Sequence, residues 1–153
     1  MSAGYTITSG ASAVALSAAT AKTILGVVAA SNVLARLVEA GVSFDGVTAT
    51  AVPVLVELCD SSGGGAGTPG ATPTPKQVRG LARAAQCTAG NAYSAEPTTL
   101  TVLKQWLIHA QTGTMFQLPL GREVEHVGAG GIFIRCTAPA AVNARSYMEF
   151  EEG

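Results

Sequence analysis

Charged side chains are scarce in this chain. Only 12% of its 153 residues are Asp, Glu, Lys or Arg, about half of the ~25% that is typical of soluble domains. A surface with so little charge is prone to association, so the composition favours a subunit of a larger assembly over a freely diffusing enzyme. The net charge of −1 gives no long-range attraction for phosphates. We therefore expect no nucleic-acid partner.

The residues that usually carry catalysis or bind metals are also few. The two histidines, His109 and His126, have no set of ligands at metal-site spacing around them. Residues 65–70 match GxGxxG as letters, but Pro69 and Pro73 exclude the helix that must follow a dinucleotide loop. There is no GxSxG elbow, and the chain contains only two aspartates. The sequence thus predicts no metal, no cofactor and no catalytic residues, and we expect a protein that is not an enzyme.

Disulfide and membrane signals are missing as well. Cys59, Cys87 and Cys136 form no CxxC pair, which predicts three reduced, buried thiols. Residues 1–21 lack the positively charged start of a signal peptide, and no apolar run approaches the ~20 residues of a membrane span. We expect synthesis in the cytosol and no membrane partner.

The apolar residues alternate along the chain with a period of two. This period is typical of strands with one face on a core, and hydrophobic residues make up 48% of the chain. Residues 31–41 and 98–109 also fit helical spacing, but Val38–Phe44 alternate cleanly and three threonines favour a strand near residue 100. The pattern predicts an all-β, two-sheet antiparallel sandwich, jelly-roll-like, with about eight strands at residues 11–18, 22–30, 35–44, 52–59, 99–109, 114–118, 131–137 and 142–151.

A long connection interrupts this single predicted domain of residues 1–153. Residues 60–97 are mostly Gly, Ala, Ser, Thr and Pro, too poor in large apolar side chains to form a core. We therefore predict an extended arm that needs a partner. Its only basic cluster is Lys76, Arg79 and Arg83, whose spacing would put the three on one side of a short helix. That side would either face an acidic patch on a neighbour or form an exposed stripe that aids solubility, and the spacing leaves both open. These three are the candidate partner contacts, and the N-terminal residues up to Thr8 are a second one.

Three stretches of the sequence carry a resemblance to a known group of proteins. They are residues 96–106 (EPTTLTVLKQW), residues 117–123 (QLPLGRE), and residues 135–143 (RCTAPAAVN) with 147–150 (YMEF). In their residue pattern and short sequence motifs they resemble small jelly-roll capsid decoration or minor capsid proteins of tailed phages of actinobacteria. The resemblance covers most of residues 22–151 and includes no catalytic signature.

The resemblance implies a virion role. It implies a decoration protein on the outer capsid surface that binds the major capsid protein, self-associates as a homotrimer and stiffens the shell. Related jelly rolls also serve in tails and fibres or bind host glycans, and that alternative stays open. Exposed aromatic residues would carry glycan binding, and the candidates are Tyr5, Tyr93, Trp106 and Tyr147. A cupin-type enzyme, the third class, would need a cluster of histidines that the sequence lacks.

Overall fold

Strands dominate the fold. The computed structural model describes residues 2–62 and 65–153, which form two sheets and no helix. The strands are β1 (Ala3–Thr8), β2 (Val14–Leu16), β3 (Ala21–Val28), β4 (Leu34–Phe44), β5 (Val54–Ser61), β6 (Lys76–Arg79), β7 (Thr88–Asn91), β8 (Leu100–Ile108), β9 (Gly113–Gln117), β10 (Val124–Val127), β11 (Gly131–Thr137) and β12 (Val142–Glu152).

The strand order is that of a jelly roll. One sheet has the strand order β10-β4-β12-β1-β6. In this sheet β9 also pairs with β4, and β2 also pairs with β12. The other sheet has the strand order β7-β3-β11-β5-β8. When β1 with β2 and β9 with β10 are each counted as one broken strand, eight strands form two interleaved Greek keys. β6 and β7 are additions at the β1 and β3 edges. All the pairings between these strands are antiparallel. The predicted antiparallel sandwich is confirmed.

Each of the eight predicted strands corresponds to an observed one. The ends differ by at most three residues, and the helical alternatives at 31–41 and 98–109 are wrong. The sequence reasoning missed four strands, β1, β6, β7 and β10. Each has four to six residues, and β6 and β7 lie within the stretch of small and polar residues predicted to be an arm.

The core lies between the two sheets. It is filled mainly by aliphatic residues, among them Ile24, Leu58 and Ile134, which are fully buried. Tyr5 of β1 stacks on Phe150 of β12 with ring centroids 5.7 Å apart. At the β8 and β9 edges the gap between the sheets is closed by Trp106, which stacks on Phe116 at 4.4 Å. The three cysteines are free and buried, as the sequence predicts.

Two predicted contact segments are parts of the sandwich itself. Within the N-terminal segment, β1 lies between β12 and β6 and buries Tyr5 and Ile7. Within the predicted arm, Asp60 and Ser61 still belong to β5, while β6 pairs with β1 and β7 with β3. Met1, Gly63 and Gly64 of these segments lie outside the described residues. The arm is therefore folded back against the edges of its own two sheets.

The predicted helix around Lys76, Arg79 and Arg83 is wrong. Lys76–Arg79 form strand β6, and Gly80 follows with a φ of 93°. The physical reason is that a helix of two turns is marginal by itself, whereas pairing with β1 also satisfies backbone groups that the β1 edge would otherwise leave unpaired.

A small second cluster sits on the outer face of the five-stranded sheet. It consists of Cys59, Tyr93 and Phe133, covered in part by Ala66 of the arm. Tyr93 meets Phe133 edge to face at 5.8 Å. Gly26 makes room for both, since a Cβ on it would lie 2.3 Å from the Phe133 ring and 3.0 Å from the Tyr93 hydroxyl.

We expect Gly26→Ala to destabilise the fold by about 1–3 kcal/mol, because an added methyl group overpacks this cluster. Urea denaturation measures the loss. Phe133→Leu in the same chain should recover part of it by freeing space. If Gly26→Ala costs nothing, the Phe133 ring does not pack over Gly26 in this way.

Candidate assembly surfaces

The best-defined site outside the core is the attachment of the arm, which we call the Glu152 latch. Glu152 at the end of β12 is fully buried. Its carboxylate accepts hydrogen bonds from the backbone N–H groups of Gln86 (2.9 Å) and Cys87 (2.7 Å) and lies 3.4 Å from the Arg83 guanidinium. A buried carboxylate is tolerated only when it is paired and hydrogen-bonded, and here all of its partners belong to the arm.

Further polar contacts continue this attachment along the arm. Arg83 also donates to the hydroxyl of Tyr5, and Asn91 donates to the Ser9 carbonyl at 2.7 Å. Near the arm's end the Glu96 carboxylate accepts from the backbone N–H of Thr23 at 2.8 Å. The arm contributes few core residues of its own. Its attachment therefore depends on side-chain hydrogen bonds as well as on the two short strands.

The three predicted partner-contact residues thus differ in their surroundings. Arg79 pairs with Glu151 and Arg83 with Glu152, both within the same chain. Lys76 is exposed. Exposed ion pairs contribute little, so the Arg79–Glu151 pair is a weak attachment compared with the buried Glu152 latch. Sequence spacing found the cluster but gave no sign of its acidic partners at the C-terminus, about 70 residues away.

The second feature is the narrow side of the sandwich opposite the arm. We call it the open side and define it as residues 100–127, which include β8, β9 and β10. Six of the ten exposed large apolar residues of the described chain lie here. Leu107 is 70% exposed, Met115 60% and Leu120 95%, and the others on this side are Val102, Leu103 and Val127.

Charge is almost absent from the first part of the open side. Between Thr98 and Gly121 the only Lys, Arg, Asp or Glu is Lys104. β8 is the last strand of its sheet and pairs only with β5 among the described residues. An edge strand of nine residues with exposed leucines is a surface that proteins normally cover.

A polar network on the outer face of the five-stranded sheet borders this side. Glu57 of β5 accepts from Arg135 of β11 at 2.7 Å and from Gln105 of β8 at 2.9 Å. Burial raises the pKa of Glu57, but the hydrogen bonds from Arg135 and Gln105 outweigh it, and the pKa lies below its ordinary value. The network ties three neighbouring strands together.

A second network lies on the outer face of the seven-stranded sheet. The hydroxyl of Tyr147 donates to Glu39, and Gln117 donates to the same carboxylate. These bonds lower the pKa of Glu39, while burial, together with Glu39, raises the pKa of Tyr147 to about 12. Tyr147 lies beside a groove of about 600 Å³ that also contains Met115 and Arg145.

Another groove of about 590 Å³ lies at the loop end of the sandwich. Its lining is mostly Ala, Val and Pro, and Asp45 is its only carboxylate. Both oxygens of Asp45 accept bonds from Asn143, which lower its pKa. Neither groove, as far as the described residues show, sets a nucleophile beside a general base. No group of three His, Cys, Asp or Glu residues that could hold a metal occurs in residues 2–62 and 65–153.

The remaining sequence candidates are placed as follows. Tyr5 and Tyr93 are buried, and Trp106 and Tyr147 are partly exposed. Both histidines are partly exposed, and His109 lies 3.1 Å from the Ala49 carbonyl. A helix long and apolar enough to cross a membrane is not found in the described chain.

Comparison with protein-family models, with curated proteins and with solved structures finds no match.

We expect Glu152→Gln to loosen the arm. An amide cannot accept from both backbone N–H groups and Arg83 at once, so local opening should become about ten- to a hundredfold more frequent. Burial raises the pKa of Cys87 to about 12 and that of Cys59 to about 11. Maleimide labelling followed by mass spectrometry should therefore show faster modification of both, because labelling requires opening.

Two comparisons control this experiment. Glu151→Gln changes the neighbouring carboxylate, whose partner Arg79 is exposed, and should leave labelling unchanged. Cys136 lies in the main core and should label slowly in every variant. Equal labelling of all three cysteines would indicate global unfolding and would contradict a separately attached arm.

The Glu57 network predicts a pH dependence. A carboxylate whose folded pKa is lowered stabilises the fold fully above its unfolded pKa, and the contribution disappears as the pH falls through the folded value. Glu57→Gln should therefore cost about 1–3 kcal/mol at pH 7 and progressively less below about pH 4. Urea denaturation across this range measures the difference, and a cost that is constant with pH would contradict the assignment.

Proposed function

We propose that this protein is a non-catalytic structural protein of a tailed-phage virion. It serves as a capsid decoration protein on the outer surface of the head, where it bridges and stiffens the subunits of the shell. In this proposal its partners are the major capsid protein and other copies of itself, as a homotrimer. The protein is made in the host cytoplasm and needs no cofactor.

The observation that carries the proposal is the open side. A row of exposed apolar residues with one Lys and no other charge between Thr98 and Gly121 is costly to leave in water. Contact with a capsid shell would remove these residues from water, and a shell of identical subunits offers many identical sites for such contacts. Each contact can then be weak, because repeated attachment multiplies its effect.

Other properties agree with this proposal. The jelly roll is a fold used by viral capsid proteins, and fold alone does not decide function. The low charge of the chain suits a subunit whose surface is largely covered. The sequence resemblance to phage decoration proteins points in the same direction.

The structure gives less support to the glycan-binding alternative. Such sites place aromatic rings flat against a sugar, yet two of the four candidates, Tyr5 and Tyr93, are buried. Trp106 is stacked on Phe116, which leaves Tyr147 as the only candidate beside a groove.

The test is binding to capsids purified from the encoding phage and stripped of this protein. We expect the protein to pellet with the capsids and to be an oligomer by light scattering, a trimer if the predicted state is right. A monomer that stays in the supernatant would overturn the proposal, and binding to a glycan array instead would favour the host-attachment alternative.

A matched pair of variants shows whether the open side makes the contact. Leu120→Asp puts a charge on the open side at a residue that is 95% exposed, and Val47→Asp does the same at the loop end, where Val47 is 89% exposed. Neither change should disturb the fold. We expect Leu120→Asp to weaken capsid binding about tenfold or more and Val47→Asp to leave it unchanged. Equal effects would contradict the role of the open side.

A further inference from the structure

The free edge of β8 has a self-complementary sequence. Residues 102–108 read Val-Leu-Lys-Gln-Trp-Leu-Ile, and two of the three residue pairs around Gln105 match in chemical type. Leu103 mirrors Leu107, Val102 mirrors Ile108, and Lys104 mirrors Trp106. A two-fold contact between identical chains places each residue opposite its mirror residue in the other copy, so an axis at Gln105 sets leucine against leucine and valine against isoleucine.

We infer that β8 pairs antiparallel with β8 of a second copy of this chain, with the two-fold axis at Gln105. The two five-stranded sheets then continue into one sheet of ten strands. The unpaired backbone groups along β8 gain partners, and Leu103 of each copy lies opposite Leu107 of the other. The contact does not depend on a capsid role and can be tested on the purified protein alone.

The centre at Gln105 is favoured by the charge on Lys104. An axis at Lys104 would place two ammonium groups opposite each other, which destabilises a strand pair. An axis at Trp106 would place Lys104 opposite Ile108. With the axis at Gln105, Lys104 lies opposite Trp106, an uncharged side chain, so that no like charges meet.

A bulge limits the length of the contact. The register between β5 and β8 shifts at Leu58 and Cys59, so that Leu103 is the extra residue of β8. The regular part of β8 runs from Lys104 to Ile108, opposite Leu58 to Val54. Residues 104–106 of the two copies therefore pair directly, and the leucines flank them.

The expected strength follows from the size of this edge. Seven residues extend over about 23 Å, and a sandwich side about 20 Å wide gives roughly 900 Å² buried in total, which is below the area of stable specific interfaces and in the range of weak, transient ones. The pairing should thus be weak and depend on concentration. A two-fold contact also differs from the proposed three-fold one, and it would link trimers to one another through their β8 edges.

The first test uses a charge exchange across the predicted register. Leu103→Lys with Leu107→Lys places two like-charged pairs across the axis and should weaken dimer formation about tenfold or more. Leu103→Glu with Leu107→Lys places Glu opposite Lys twice and should restore it at low salt. Sedimentation equilibrium up to millimolar concentration gives the dissociation constants, and equal weakening by both double variants would overturn the register.

The second test uses cross-linking, since only residue 105 faces itself across the axis. Directly opposite residues lie about 5 Å apart, within reach of a disulfide. Gln105→Cys should form a disulfide-linked dimer under mild oxidation much faster than Thr101→Cys, which would lie opposite His109. The native cysteines are buried and should not contribute. Similar rates for both variants, or none for Gln105→Cys, would overturn the inference whatever the outcome with capsids.

Discussion

Backbone hydrogen bonding at the edges of the two sheets is the constraint on which this structure depends. Every edge strand offers N–H and C=O groups that need partners. On one narrow side the chain supplies them itself, because β6 covers the edge of β1 and β7 covers the edge of β3. On the other side β8 remains uncovered among the described residues. The arm thus covers the edges on one side of the sandwich, whereas the β8 edge on the open side has no partner among the described residues.

The arm is held in place by side-chain hydrogen bonds as well as by the pairing of its two short strands. Its small and polar residues bury little apolar surface. Hydrogen bonds made by Glu152, Glu96 and Asn91 therefore connect the arm to the sandwich. Because the two covering strands have four residues each, they offer little edge to another molecule. The open side differs, since β8 has nine residues and two exposed leucines. The protein is accordingly asymmetric, and its association should occur mainly on one side.

The long strands were predictable because alternation over seven or more residues is a strong signal, as in Gly131–Thr137 and Val142–Glu152. The arm was not. Its fold depends on contacts between residues about 70 positions apart, such as Arg83 with Glu152, and local spacing carries no information about them. The same spacing suggested a helix where the β1 edge imposes a strand. The apolar residues of the open side were visible in the sequence, but their exposure follows only from the position of β8 at the end of its sheet.

Hydrogen–deuterium exchange of the purified protein at increasing concentration tests this asymmetry most directly. The account predicts that the amides of β6 and β7 that face β1 and β3 are protected at every concentration, because their partners are in the same chain. Amides on the free edge of β8 should exchange fast in dilute solution and become protected as the concentration rises. Fast exchange in β6 and β7, or protection of the β8 edge that does not change with concentration, would contradict the account.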